Sequence, residues 1–155
     1  MVIKANKINS ENFVKYGRIV LNPTGEPTSQ ASDYKFWPNI ANYKIEGPTE
    51  IGICTVFKQD KNIIKGMEHH KLTPEILIPI DAPFVLPLLH PEESPDKAEA
   101  FLVDIGEAVI IDQNIWHGAC LPVGRDQSSY FVIFRKDTPQ EDVYKKEVYE
   151  FLIQF

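Results

Sequence analysis

Cysteine is scarce in this chain, with two residues among 155, Cys54 and Cys120. They share no metal-ligand spacing, and two thiols cannot build the disulfide framework of a small secreted domain. Reduced thiols in a cytoplasmic protein are the expectation. Also missing is any apolar run of about eighteen residues, the length a membrane span requires. Residues 1–7 lack the long apolar stretch of a signal peptide. Positive charge is in deficit: 16 Lys and Arg stand against 22 Asp and Glu, a formal net charge of −6. Such a chain offers no counter-charge to nucleic acid or to an anionic membrane, so a small molecule is the expected partner. Internal repeats and low-complexity tracts are absent, and long helical patterns are few.

What is there points to short strands. Twelve prolines break helices and collect at strand ends and turns. A hydrophobic content of 43% with 25% charged residues is ordinary for a globular chain. One domain, 1–155, is expected, and a chain of this size buries about two thirds of its unfolded surface. Apolar and β-branched patterns predict strands over 2–8, 18–21, 50–57, 63–70, 75–80, 84–89, 98–105, 108–112 and 128–136. The run Phe84-Val85-Leu86-Pro87-Leu88-Leu89 suits a strand buried on both faces, with Pro87 marking a bulge. Ser10 caps a helix of one or two turns that Gly17 ends. Thr138-Pro139-Gln140-Glu141 reads as a capping box that starts a second helix. Its end is open, because Tyr144, Val148 and Leu152 share a helical face while 148–155 also suits a strand. Residues 22–33, crowded with Pro, Gly and Ser, form a loop that either covers the site or lies apart from it. Phe36 and Trp37 beyond it belong to the core or to a dimer contact. Nine or more short strands with one or two minor helices make a mainly β sandwich or barrel.

Three of the four histidines fall in two stretches that also carry carboxylates. The first is Glu68-His69-His70-Lys71-Leu72-Thr73-Pro74-Glu75; the second runs from Gly106 to Ala119 and contains Trp116-His117. In a strand, Glu68 and His70 share one face and His69 takes the other. The spacing alone also fits four surface residues on half-buried strands; the order of the two stretches favours a site. Inward-facing Glu68, His70, Glu75 and His117 would have to share a cation or protons, since buried carboxylates must be compensated. Two imidazoles and two carboxylates suit a divalent zinc, manganese, iron or nickel ion. Without metal, the same residues make an acid–base cluster. His69 is expected to be exposed or at an interface, and His90, before Pro91, structural or solvated. Trp116 either braces His117 or stacks on a substrate. Arg135, in the long strand, is the best-placed cation for a substrate carboxylate or else a surface residue at a strand end. Cys120 as a nucleophile would need a base beside it and a lowered pKa, and is set aside.

The layout resembles the cupin superfamily. Its first motif is a His, one residue, a His, three or four residues, then a Glu; its second is a Gly-led strand that supplies another His. Glu68 stands in place of the first His, and His70, Glu75 and His117 match by position. Within the cupins the chain is most similar to the ureidoglycolate lyase family. The carrying segments are Phe13-Val14-Lys15-Tyr16-Gly17, Met67 to His70 running on to Ile78-Pro79, Ala100-Phe101, Gly106-Glu107 and Trp116-His117. That family usually has Gln where this chain has Glu75 and Arg where it has His69.

The resemblance implies a jelly-roll barrel, a homodimer, and cleavage of ureidoglycolate to glyoxylate and urea as a step of allantoin degradation. His117 with Glu68 or Glu75 would be base and acid. A divalent metal on Glu68, His70, Glu75 and His117, or no metal, fits the same set, with Arg135 and Trp116 on the substrate. Two other readings remain open at this stage: another cupin enzyme acting on a small hydroxy, keto or sugar acid, and a non-catalytic small-molecule-binding cupin.

Overall fold

Prolines, glycines and polar turns cut the chain into fifteen strands. The computed structural model describes residues 1–155. In order the strands are β1 (Val2–Lys4), β2 (Asn6–Lys7), β3 (Gly17–Val20), β4 (Ser29–Ala31), β5 (Tyr34–Phe36), β6 (Thr49–Phe57), β7 (Ile63–His69) and β8 (Glu75–Pro79). Then come β9 (Phe84–Leu89), β10 (Glu99–Val103), β11 (Ala108–Ile111), β12 (Trp116–His117), β13 (Leu121–Pro122), β14 (Gln127–Arg135) and β15 (Tyr144–Gln154). The only α-helix, α1, is one turn, Thr138–Glu141.

Two sheets face each other as a jelly-roll barrel. The larger has the order β1-β15-β7-β12-β9-β10-β2, with β13 also on β9; the smaller is β3-β11-β8-β14-β6. β9 is buried along its whole length, as its unbroken apolar run implies. Phe84, Leu86 and Leu88 enter the core between the sheets with Phe13, Phe101 and Val109, while Val85 and Leu89 enter a second core with Ile64, Phe151 and Ile153. Pro87 costs no ladder bond, because the neighbouring strand is interrupted there. β12 pairs with Leu88 and Leu89, β13 with Phe84 and Val85, and the Pro87 carbonyl accepts from the Gly118 N–H between them.

Two local expectations are corrected, and the open reading of the C-terminal stretch is decided. The segment after Ser10 forms turns only, and Asn9 holds them: its side-chain oxygen accepts from the N–H groups of Glu11 and Asn12, each at 2.9 Å. The C-terminal stretch is a strand. β15 pairs with β7 antiparallel and with β1 in parallel, and the sheet supplies more partners than a lone helix could. Within 22–37 a small hairpin, β4–β5, stands apart as its own two-stranded sheet. Phe36 in it is exposed, so it is not core.

Candidate functional site

β15, β7 and β12 lie side by side, and Glu68 on β7 is the point where they meet. The register sets His117 of β12 opposite Glu68 on one side and Lys145 of β15 opposite it on the other. Glu68, Glu75 and His117 line a cavity of about 830 Å³ between the two sheets. His70, one residue past β7, is buried just behind it. The walls are mostly apolar, with Leu77, Leu86, Tyr130 and Val132 among them.

The four residues converge. Ligand atoms of Glu68, His70 and His117 all lie within 4.8 Å of one another. Glu75 Oε2 sits between the two imidazoles, 3.4 Å from His70 Nε2 and 3.1 Å from His117 Nε2. None of these three atoms has a hydrogen-bond partner, although all are buried. Their close approach is therefore electrostatic and poorly aligned for hydrogen bonding. Buried polar atoms left in that state are rare and mark a missing ion, water or proton. The other nitrogen of His70 is committed: Nδ1–H donates to the Asp142 carbonyl at 2.7 Å. That bond turns Nε2 toward the cluster, the arrangement metal-ligating histidines use to fix tautomer and ring orientation. The donor set thus fits a divalent cation. Glu68, His70 and His117 would hold it, with Glu75 against both imidazoles.

The electrostatics follow from burial and contact. Burial raises the Glu75 carboxyl, but the electrostatic pull of the two imidazoles against it outweighs that and holds the group below the usual carboxylate range. Burial lowers His70, yet the contact with Glu75 outweighs that and raises it. For His117 burial dominates over the attraction of Glu75 and lowers it. Of the two imidazoles His70 is thus the more readily protonated, and a cation bound at its Nε2 would displace that proton.

His69 points away from the cavity, as strand parity requires, but it is buried where exposure was expected. It stacks on Trp116 with ring centroids 4.1 Å apart and meets the edge of Tyr144. Trp116 belongs to that outer stack and does not line the cavity, so it braces the strand from behind and is not placed to touch a substrate. Arg135 is corrected likewise. Tyr130, Val132 and Phe134 line the cavity from β14, so Arg135 falls on the opposite face, 3.6 Å from Glu141. No residue of 22–48 lines the cavity, so the expected loop does not cover it. His90 is half-buried at the end of β9. Cys120 is buried, and burial pushes its thiol up, the opposite of an activated nucleophile.

Two residues escaped the sequence reading. Asp142 is fully buried; its carboxylate accepts from the N–H groups of Lys71 and Leu72 at 2.9 and 2.8 Å while its carbonyl holds His70. Glu50 lines the cavity with one oxygen buried and unpartnered. Asp142 lies just past the capping box, which read as the start of a longer helix and hid it. Glu50 carried no signal beyond its place at a strand start.

The family model described as Ureidoglycolate lyase matches residues 1–153. A curated relative, Ureidoglycolate lyase 2 of Rhizobium meliloti (strain 1021), is 30% identical over 103 residues, 63% of this chain and 63% of the relative. The match therefore spans less than two thirds of that relative's length. Among solved structures, oxalate decarboxylase from Bacillus subtilis at pH 4.6 is similar at TM-score 0.46 and 15% identity, over 64% of this chain and 23% of that one. RmlC from Streptococcus suis in complex with dTDP-D-xylose gives 0.45 and 14%, over 59% and 45%. Both likenesses are too slight to bear on function. The match of nearly the whole sequence to one family, on a barrel with Glu68, His70, Glu75 and His117 drawn together, places this chain in the ureidoglycolate lyase family.

Proposed function

We propose that the protein cleaves ureidoglycolate to glyoxylate and urea. The observation that carries this reading is the cluster of two carboxylates and two imidazoles in an apolar-walled cavity, in a chain of that family. The substrate is a carbinol that must lose its hydroxyl proton while its carbon–nitrogen bond breaks. Glu68 is the base: it is the half-exposed carboxylate of the cluster and faces the cavity. As it takes the proton, the oxygen's electrons close the aldehyde C=O, and the carbon–nitrogen pair leaves with urea. The proton that urea's nitrogen needs is the one Glu68 has taken, passed on by His117, which stands opposite Glu68 across the β12–β7 pair. Were a divalent metal held by His70, His117 and one Glu68 oxygen, it would polarise the substrate's oxygens and leave the second Glu68 oxygen to take the proton and return it directly. Its identity among zinc, manganese, iron and nickel is left to elemental analysis.

A cytoplasmic homodimer, folded as one domain over 1–155 and acting on a small molecule, completes the reading. No helix is long and apolar enough to cross a membrane, and both cysteines are free. The dimer is supported by an apolar outer face on the smaller sheet. Ile51 and Ile53 of β6, each 65% exposed, lie beside Ile133 and Phe131 of β14.

The test is release of glyoxylate and urea by purified protein, with and without added metal, beside the His117→Ala variant. The variant should keep its fold and lose about a hundredfold or more in turnover. Absence of both products from the parent under every metal condition would remove the lyase reading, leaving another small-acid enzyme or a binding protein.

A further inference from the structure

We propose that Lys145 is the residue that receives the substrate's carboxylate, an inference that rests on the lyase reading. Ureidoglycolate is an anion, and the cavity it must enter is bordered by Glu50, Glu68, Glu75 and Glu147. Entry against that field needs a cation close to the reacting groups and not already neutralised by a tight partner. None of the chain's three arginines provides it. Arg18 is paired with Asp112 at 2.7 Å in a separate surface cleft. Arg125 is exposed in the turn between β13 and β14. Arg135 faces the other side of its sheet, toward Glu141.

Two lysines border the cavity, Lys145 and Lys146. The ammonium of Lys146 lies 4.2 Å over the ring of Trp116, on the outer stack. Lys145 is left. It stands opposite Glu68 in the β15–β7 register, with Nζ 3.9 Å from Glu68 Oε2. That separation is too long for a hydrogen bond, and the Lys145 side chain is 76% exposed. The ammonium is therefore loosely held, beside the cluster, and free to close on an incoming carboxylate. It would set the acid end of the substrate at the mouth and its hydroxyl carbon toward Glu68.

The test compares the parent with Lys145→Met, Lys145→Arg and Lys146→Met. Two readouts are used: kcat and KM for ureidoglycolate, and calorimetric affinity for N-carbamoylglycine, the same ureido acid without the hydroxyl that collapses. Lys145→Met should raise KM about tenfold or more with kcat within about threefold, the pattern of lost ground-state binding. N-carbamoylglycine should weaken in parallel, while its neutral amide should bind parent and variant alike. Lys145→Arg should restore binding to within about threefold, because it keeps the charge. Lys146→Met should match the parent. The inference is overturned by a Lys145→Met variant whose KM and N-carbamoylglycine affinity both stay within about twofold of an active parent. Rescue failing in Lys145→Arg would also overturn it. A parent that holds N-carbamoylglycine through Lys145 yet releases no glyoxylate sinks the lyase reading and sustains this one. A parent that neither binds nor turns over overturns both.

Discussion

Glu75 is the residue on which the site's chemistry turns, because both imidazoles lean on one of its oxygens. Glu75→Gln removes the charge at nearly constant volume and restores the residue the family usually carries. With the amide nitrogen at that position, its two N–H groups can each donate to a bare imidazole nitrogen, so the cluster stays occupied. Activity on ureidoglycolate should be kept or gained. His70 should titrate lower than in the parent, since burial alone lowers it and the contact with Glu75 is what outweighs that. Nuclear magnetic resonance titration of the metal-free variant measures the shift. A variant that loses metal and releases no urea would show Glu75 serving a different reaction. Asp142 offers a second test. In Asp142→Asn one acceptor oxygen becomes an N–H donor facing a backbone N–H, while the carbonyl that holds His70 is unchanged. The expected loss is about 1.5–3 kcal/mol, the worth of a hydrogen bond to a charged group. Chemical denaturation reads it as a lower midpoint at unchanged slope.

At the level of the elements, Gly17 decides whether β3 can join its sheet. Its φ is +148°, and a Cβ there would lie 1.9 Å from the Ile110 carbonyl oxygen of β11. Gly17→Ala must push the two backbones apart, and a loss of about 3 kcal/mol or more is expected on denaturation. An unchanged midpoint would mean the turn can move aside. Most elements were legible because burial leaves a plain mark. β9 has both faces covered and reads as an unbroken apolar run. The four converging residues were legible for the same reason, since strand parity assigns Glu68 and His69 to opposite faces. β15 was not. Tyr144, Val148 and Leu152 suggested a helical face, yet Phe151 and Ile153 are the buried pair. The register shift between Glu147 and Phe151 breaks the alternation that would have announced a strand. The same misreading concealed Lys145 and left Arg135 as the favoured cation. Arg135 failed on parity alone: it is one residue past Phe134, which faces the cavity.

The whole molecule presents one apolar outer face, on β6 and β14, and β6 pairs with no strand beyond β14. An unpaired edge with exposed isoleucines invites association unless something covers it. A second copy is the proposed cover. Ile53→Glu would bury an unpaired charge there, so it should shift the protein to monomer in analytical ultracentrifugation while the melting profile of each subunit persists. A parent that is already monomeric at working concentration rules the dimer out. The connectivity also predicts slow folding. Val2 pairs with Leu152, so the larger sheet cannot close until chain ends far apart in sequence have met.

That closure carries a consequence for synthesis. β1 has a single partner, β15, and β15 also brings Asp142 and Lys145 into place behind it. A ribosome releases Glu68, His70, Glu75 and His117 well before those residues. The nascent chain thus displays two imidazoles and two carboxylates with nothing yet to aim them, and β1 must wait for β15. Chemical competence comes only once β15 has emerged, and a message cut short before β15 would leave β7 without the strand that sets Lys145 beside Glu68.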